Sequence, residues 1–125
     1  MEKEYKTFTQ LSAYKEVFPI VIKTVQILDS YKRKNTEFTE LIEKAENHAI
    51  SILTSLADGY NKYHAEDKAA LYNQARSNLT HTQSLIQILG GLGAIPNEVS
   101  TKIVKMFDEK IKIFNGIIRK MEDKC

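Results

Sequence analysis

The chain has 125 residues, 42% of them hydrophobic and 27% charged, with a formal net charge of +2. That length is one domain, enough to bury a core without disulfide or metal staples, and a charge so near neutral does not by itself indicate a nucleic-acid binder. The only cysteine is the last residue, Cys125, which excludes an intrachain disulfide and leaves no thiol inside the fold for metal or nucleophilic chemistry.

Trp is absent, and there are only two Pro and five Gly, so few, long elements with short connections are expected. No run of about eighteen apolar residues exists to span a membrane. Met1 to Lys6 is charged, with no apolar stretch of signal-peptide type behind it, so a cytoplasmic protein is expected.

The first predicted helix covers about 9–31. Leu11, Tyr14, Phe18, Val21, Val25 and Leu28 recur at a three–four spacing, with Thr9 as N-cap. Pro19 falls inside this pattern and predicts a kink near Lys15 to Pro19, because it removes a backbone donor and crowds the preceding turn. Lys32-Arg33-Lys34-Asn35 reads as the first turn. The second helix covers about 36–62, with Glu37 and Glu40 where the helix dipole favours acid. Its apolar row is Phe38, Leu41, Ala45, Ile52, Leu56 and Tyr60, and Ala45, Ala49 and Ser51 would admit a close neighbour.

Tyr63-His64-Ala65 forms the next connection. The third helix covers about 65–90, opened by Glu66 and Asp67, with a seam of Leu71, Ala75, Leu79, Thr82, Ile86 and Leu89. Gly90-Gly91-Leu92-Gly93 stops it. Ile95-Pro96-Asn97 opens the fourth helix, about 97–122. Here apolar residues form two adjacent rows: Val99, Ile103, Met106, Ile113, Ile117 and Val104, Phe107, Ile111, Phe114, Ile118, Met121. So wide an apolar face predicts a second contact beyond the core, and Val104, Phe107, Ile111, Phe114 and Ile118 are assigned to an oligomer interface. The alternative is a bundle helix wedged between two neighbours. Short connections make neighbouring helices antiparallel, so the predicted fold is a single all-α domain over 1–125, an up-down-up-down four-helix bundle.

Residues 1–60 hold eight Lys/Arg against nine Asp/Glu, and residues 61–125 hold ten against seven. The basic excess lies mainly in the last helix. Lys102, Lys105, Lys112 and Arg119 share its far side by spacing, interrupted by Glu109 and Asp123, and form a candidate phosphate-contacting strip. The competing reading is a solvated helix surface. Lys32, Arg33 and Lys34 form a second basic candidate, set against the ordinary polarity of turns. Tyr31 beside Lys32, and Tyr60 and Tyr63 around Lys62, are the only aromatics placed to stack on bases, although Tyr60 and Tyr63 are expected to finish the core.

Catalytic and cofactor signals are missing. Ser51, Ser55, Ser77 and Ser84 have no paired His and carboxylate. His48, His64 and His81 are scattered, and Glu43 lies five residues before His48, off its helix face, so no metal ligand set is read. The glycines at 90–93 follow a helix and precede no Gly-Lys-Ser/Thr, which excludes a phosphate loop. No cofactor and no enzymatic activity are expected. A metal- or cofactor-carrying bundle enzyme is the least favoured alternative.

The stretch Ile50-Ser51-Ile52-Leu53-Thr54-Ser55-Leu56-Ala57-Asp58-Gly59-Tyr60 resembles the Ala-Glu-Gly-aromatic motif of the bacterial four-helix-bundle proteins encoded in 23S ribosomal RNA intervening sequences. Asp67-Lys68-Ala69-Ala70-Leu71-Tyr72-Asn73-Gln74-Ala75-Arg76-Ser77-Asn78-Leu79 is more similar to a related group, the accessory variability determinants of diversity-generating retroelements. The Phe18-Pro19 step and the ending Phe114-Asn115-Gly116-Ile117-Ile118-Arg119-Lys120 fit that group too. A Trp common near its end is replaced here by Ile117 and Ile118. The resemblance covers residues 11–121. It implies a four-helix bundle, a homopentameric ring, and a non-catalytic role binding RNA or DNA through basic surface in association with a reverse transcriptase. The alternative it leaves is an intervening-sequence-type four-helix-bundle structural protein of unknown role.

Overall fold

Residues 7–125 are described by a computed structural model; the charged start read above as lacking a signal peptide lies outside the described residues. Four arms of helix run alternately up and down, and among the described residues there is no strand. The arms are α1 (Ser12–Lys34), α2 (Thr39–Tyr60), α3 (Ala65–Gly91) and a fourth arm made of α4 (Asn97–Asp108) and α5 (Ile111–Glu122). Turns of 3-10 helix at Phe8–Gln10 and Thr36–Phe38 precede α1 and α2. The all-α four-helix bundle is therefore the observed fold, and among the described residues no helix is long and apolar enough to cross a membrane.

Cross-helix contacts fix the direction of each arm. Lys32 on α1 meets Glu46 on α2, Gly59 on α2 faces Tyr72 on α3, and Ser100 on α4 donates to the Ile86 carbonyl on α3 at 2.9 Å. The fourth arm closes on α1 through Lys110 and Glu16, 3.9 Å apart. At one end of the bundle Asn35 Nδ2 donates to the Ala94 carbonyl at 2.9 Å, tying the first connection to the third. At the other end Lys68 Nζ donates to the Tyr60 and Gly59 carbonyls, satisfying acceptors that the end of α2 leaves open. Two close approaches depend on glycine: a Cβ on Gly59 would lie 2.8 Å from the Tyr72 ring, and one on Gly90 would lie 2.7 Å from Ser100.

The core differs from the predicted rows where two apolar rows run side by side. On α1 the buried residues are Ala13, Val17, Val21, Thr24 and Leu28. The predicted row is rotated outward, leaving Phe18 exposed and Leu11, Tyr14 and Val25 half-buried. Both rows have helical spacing, and the one with small side chains at Ala13 and Thr24 permits the closer packing. Tyr14 stacks on Phe18, ring centroids 5.8 Å apart, and meets Phe8 edge-on at 5.1 Å. On α2, Ala45, Ala49, Ile52 and Leu56 are buried, joined by Ile42, Leu53 and Gly59. The α3 seam holds except that Tyr72 replaces half-buried Leu71.

Thr9 lies in the 3-10 turn, and Leu11 holds the N-cap position of α1 with no side-chain cap. α1 continues unbroken through Pro19. Lys32, Arg33 and Lys34 belong to its last turn, where cations favour the helix dipole, and not to a connection. The fourth helix, predicted as one rod, is divided at Glu109 and Lys110. There the Lys110 and Ile113 amides donate three residues back, to Phe107 and Lys110, at 3.0 and 3.1 Å. The division involves neither Pro nor Gly; it is a tightened turn of 3-10 type.

Candidate nucleic-acid interface

The fourth arm is held by what it buries. Ile103, Phe107, Phe114 and Ile118 point into the core across the α4–α5 division, and Phe107 and Phe114 are completely buried. This corrects the predicted oligomer row: Phe107, Phe114 and Ile118 pack this chain's own core and are not available to another subunit. Val104 and Ile111 are half-buried along the edge facing α3. The physical reason is phase. The inward direction runs through Ile103 as well, so each predicted row mixes core and flank positions.

On the opposite side Lys102, Lys105, Lys112 and Arg119 are all exposed. None of the four makes an ion pair with any described residue. From Lys102 to Arg119 the strip is about 25 Å long at 1.5 Å per residue. Exposed Glu98, Asp108, Glu109 and Asp123 share the arm and limit the continuity of the positive charge.

Neighbouring α3 supplies the rest of the surface. From Lys68 to Asn97 the sequence contains no carboxylate, only Lys68 and Arg76 as fixed charges amid Ser, Thr, Asn and Gln. Arg76 bridges to the arm, donating to Asn115 Oδ1 and Asn73 Oδ1, each at 2.7 Å. Its partners are neutral amides, so its charge is retained. Gln83 Nε2 donates to the Val104 carbonyl at 3.0 Å, a second tie between α3 and the arm. Burial lowers the Lys68 pKa below the ordinary lysine value, with the Lys124 ammonium as a lesser cause.

In the second basic candidate, Lys32 is drawn into a network of carboxylates. Lys32 Nζ lies 2.9 Å from Glu46 Oε1, 3.6 Å from Asp29 and 4.0 Å from Glu43. The hydrogen bond to Glu46 raises the Lys32 pKa above the ordinary lysine value, against a smaller opposing effect of burial. Arg33 pairs with Asp29 at 2.9 Å, and Lys34 Nζ sits 5.4 Å above the Tyr31 ring. Lys32 is thus committed to Glu46, whereas Arg33 and Lys34 stay exposed, Arg33 in a surface pair with Asp29 and Lys34 with no ion pair to a described residue. Tyr60 packs under the Lys68 ammonium, whereas Tyr63 is 92% exposed and does not finish the core.

One constellation was not legible in the sequence. His48 on α2 and His81 on α3 face each other with ring centroids 5.0 Å apart and planes at 68°. His48 Nδ1 lies 3.0 Å from Asn78 Oδ1, and Asn78 Nδ2 donates to Ser55 Oγ at 3.5 Å. His48 lies 13 residues before the Asn61–His64 connection and His81 lies 17 after it, so counting back from the turn does not pair them; their meeting is set by the packing of α2 on α3. Among the described residues no group of three or more His, Cys, Asp or Glu side chains converges as a metal ligand set. Ser55 is buried beside Asn78, and Ser51, Ser77 and Ser84 line grooves along α2 and α3.

Compared with known protein families, curated proteins and solved structures, the chain matches none.

Proposed function

We propose that this chain is a non-catalytic, nucleic-acid-binding accessory protein that presents the outer side of its fourth arm to RNA or DNA. One observation carries the reading: Lys102, Lys105, Lys112 and Arg119 are exposed and free of ion pairs with described residues, beside a helix with no carboxylate from Lys68 to Asn97. Cations that are not neutralised locally condense on phosphate and release its counterions. Arg76, held by two amide oxygens, extends the same surface onto α3.

Self-association is part of the proposal, on a different surface from the one the sequence suggested. Phe18, Ile22, Ile50, Ile88 and Leu92 are exposed large apolar residues on α1, α2 and the end of α3. Phe18 with Ile22, and Ile88 with Leu92, are each four residues apart and so adjacent along their helices, and exposed apolar pairs of this kind are the proposed contacts with another chain. The resemblance to the retroelement determinants supports a ring of five and a reverse transcriptase as the protein partner.

The test is charge reversal of Lys102, Lys105, Lys112 and Arg119 to Glu, followed by titration with structured RNA and with duplex DNA. The expected result is loss of binding with unchanged far-UV circular dichroism. Wild-type affinity in that variant would refute the strip as the binding surface.

A further inference from the structure

We propose that His48 and His81 form a two-imidazole site for a borderline divalent transition ion, Zn²⁺ being the probe, bridging α2 and α3. Imidazole nitrogen is a preferred ligand for such ions. A tetrahedral ion with Zn–N bonds of about 2.0–2.1 Å holds two nitrogens about 3.3 Å apart. Rings centred 5.0 Å apart reach that separation with a modest rotation of the exposed His81 side chain.

The hydrogen bond that orients His48 is the second observation. Asn78 Oδ1 lies 3.0 Å from His48 Nδ1, and the Asn78 amide nitrogen lies 3.5 Å from Ser55 Oγ. A ring held through Nδ1 directs its Nε2 edge away from Asn78 and leaves that nitrogen for an ion. An imidazole oriented through its other nitrogen by a fixed acceptor is the usual arrangement behind a metal-binding histidine. Asn78 itself is fixed from behind by Ser55, which is buried.

The surroundings leave room for the ion's remaining ligands. A depression of about 200 Å³, lined by Lys44, His48, His81, Ser84 and Leu85, opens beside the pair. A neighbouring one of about 460 Å³ adds Glu40 and Glu43. Lys44, which lines the smaller depression, makes no ion pair with a described residue, so its flexible side chain must swing towards solvent when the ion binds. Water completes the coordination, since only two protein ligands converge. Because the two imidazoles belong to different helices, the bound ion staples α2 to α3 and stabilises the folded state by mass action. This site shares no residue with the basic strip, and its failure would leave the nucleic-acid reading intact.

The experiment is calorimetric titration of the full chain with Zn²⁺, paired with long-range ¹H–¹⁵N spectra of the imidazoles. One equivalent is expected to bind, with the His48 Nε2 resonance shifting first and the melting temperature rising. His48→Ala and His81→Ala should each weaken binding at least tenfold, and Asn78→Ala about tenfold through loss of the orienting acceptor. His64→Ala, on the connection after α2, should bind as wild type does. The spectra of the unmutated chain keep the test independent of how the variants fold. No uptake, uptake that survives the double variant His48→Ala/His81→Ala, or uptake abolished by Cys125→Ser would each overturn the proposal.

Discussion

At the end of α1, Lys32, Arg33 and Lys34 sit within reach of Asp29, Glu43, Glu46 and the Tyr31 ring. Along the fourth arm, Lys102, Lys105, Lys112 and Arg119 meet no carboxylate among the described residues closely enough to pair. The two regions carry similar positive charge in sequence and differ in how it is partnered: Lys32 meets Glu46 across the bundle and Arg33 meets Asp29 on its own helix, while the arm's four cations pair with no described residue. α2, which faces the first cluster, holds Glu40, Glu43, Glu46 and Asp58, whereas α3, which faces the fourth arm, holds no acid beyond Asp67. Charge is available to a ligand only where the neighbouring helix has not already claimed it. That condition depends on packing as much as on composition.

The comparison breaks most severely if the arm that presents the strip is loosened. Phe107→Ala or Phe114→Ala removes a fully buried ring and should cost about 3–5 kcal/mol of stability, read by denaturant unfolding. RNA binding should be lost together with the cooperative transition. An unchanged unfolding midpoint would place these rings outside the core.

A crossed pair of single variants sharpens the comparison. Lys32→Met strands the Glu46 carboxylate in a nearly buried position, so the melting temperature should fall while RNA affinity holds. Lys102→Met should do the reverse, weakening RNA binding severalfold and leaving the melting temperature within about a degree, as is usual for an exposed, unpaired side chain. Equal effects of the two variants on either readout would erase the distinction drawn here.

The smallest expected effect concerns the core of α1. Thr24 is buried, and its Oγ1 has no hydrogen-bond partner among the described residues. Thr24→Val keeps the shape and removes the unsatisfied hydroxyl, so it should stabilise by about 1 kcal/mol, measured by thermal melting, with RNA affinity unaltered. It would also supply a sturdier background for the charge variants.

The helices were legible because turn-formers are rare and each arm repeats its apolar residues at three and four. The boundaries of α3 and the stop at Gly90-Gly91 followed directly. What the sequence left open was rotation. α1 and the fourth arm each have two adjacent apolar rows, and periodicity does not say which one turns inward. Phe18 was therefore expected inside and lies outside, while Phe107 and Phe114 were expected at an interface and lie in the core. The tightened turn at Glu109 and Lys110 has no residue-type signature. For the candidate surface, the exposure of the strip was readable from spacing, whereas the neutralisation of Lys32 by Glu46 and the meeting of His48 with His81 arise only when antiparallel helices are laid side by side.

The central claim is that free cations on the fourth arm make the phosphate contacts, and the most direct test is the salt dependence of RNA binding. Four such contacts give a slope of log K against log salt between about −2.8 and −3.6, depending on whether the ligand is single- or double-stranded. In the double variant Lys105→Met/Lys112→Met that slope should shallow by about 1.4–1.8. A slope that stays the same in the double variant, or shallows instead in Lys32→Met, would contradict the account.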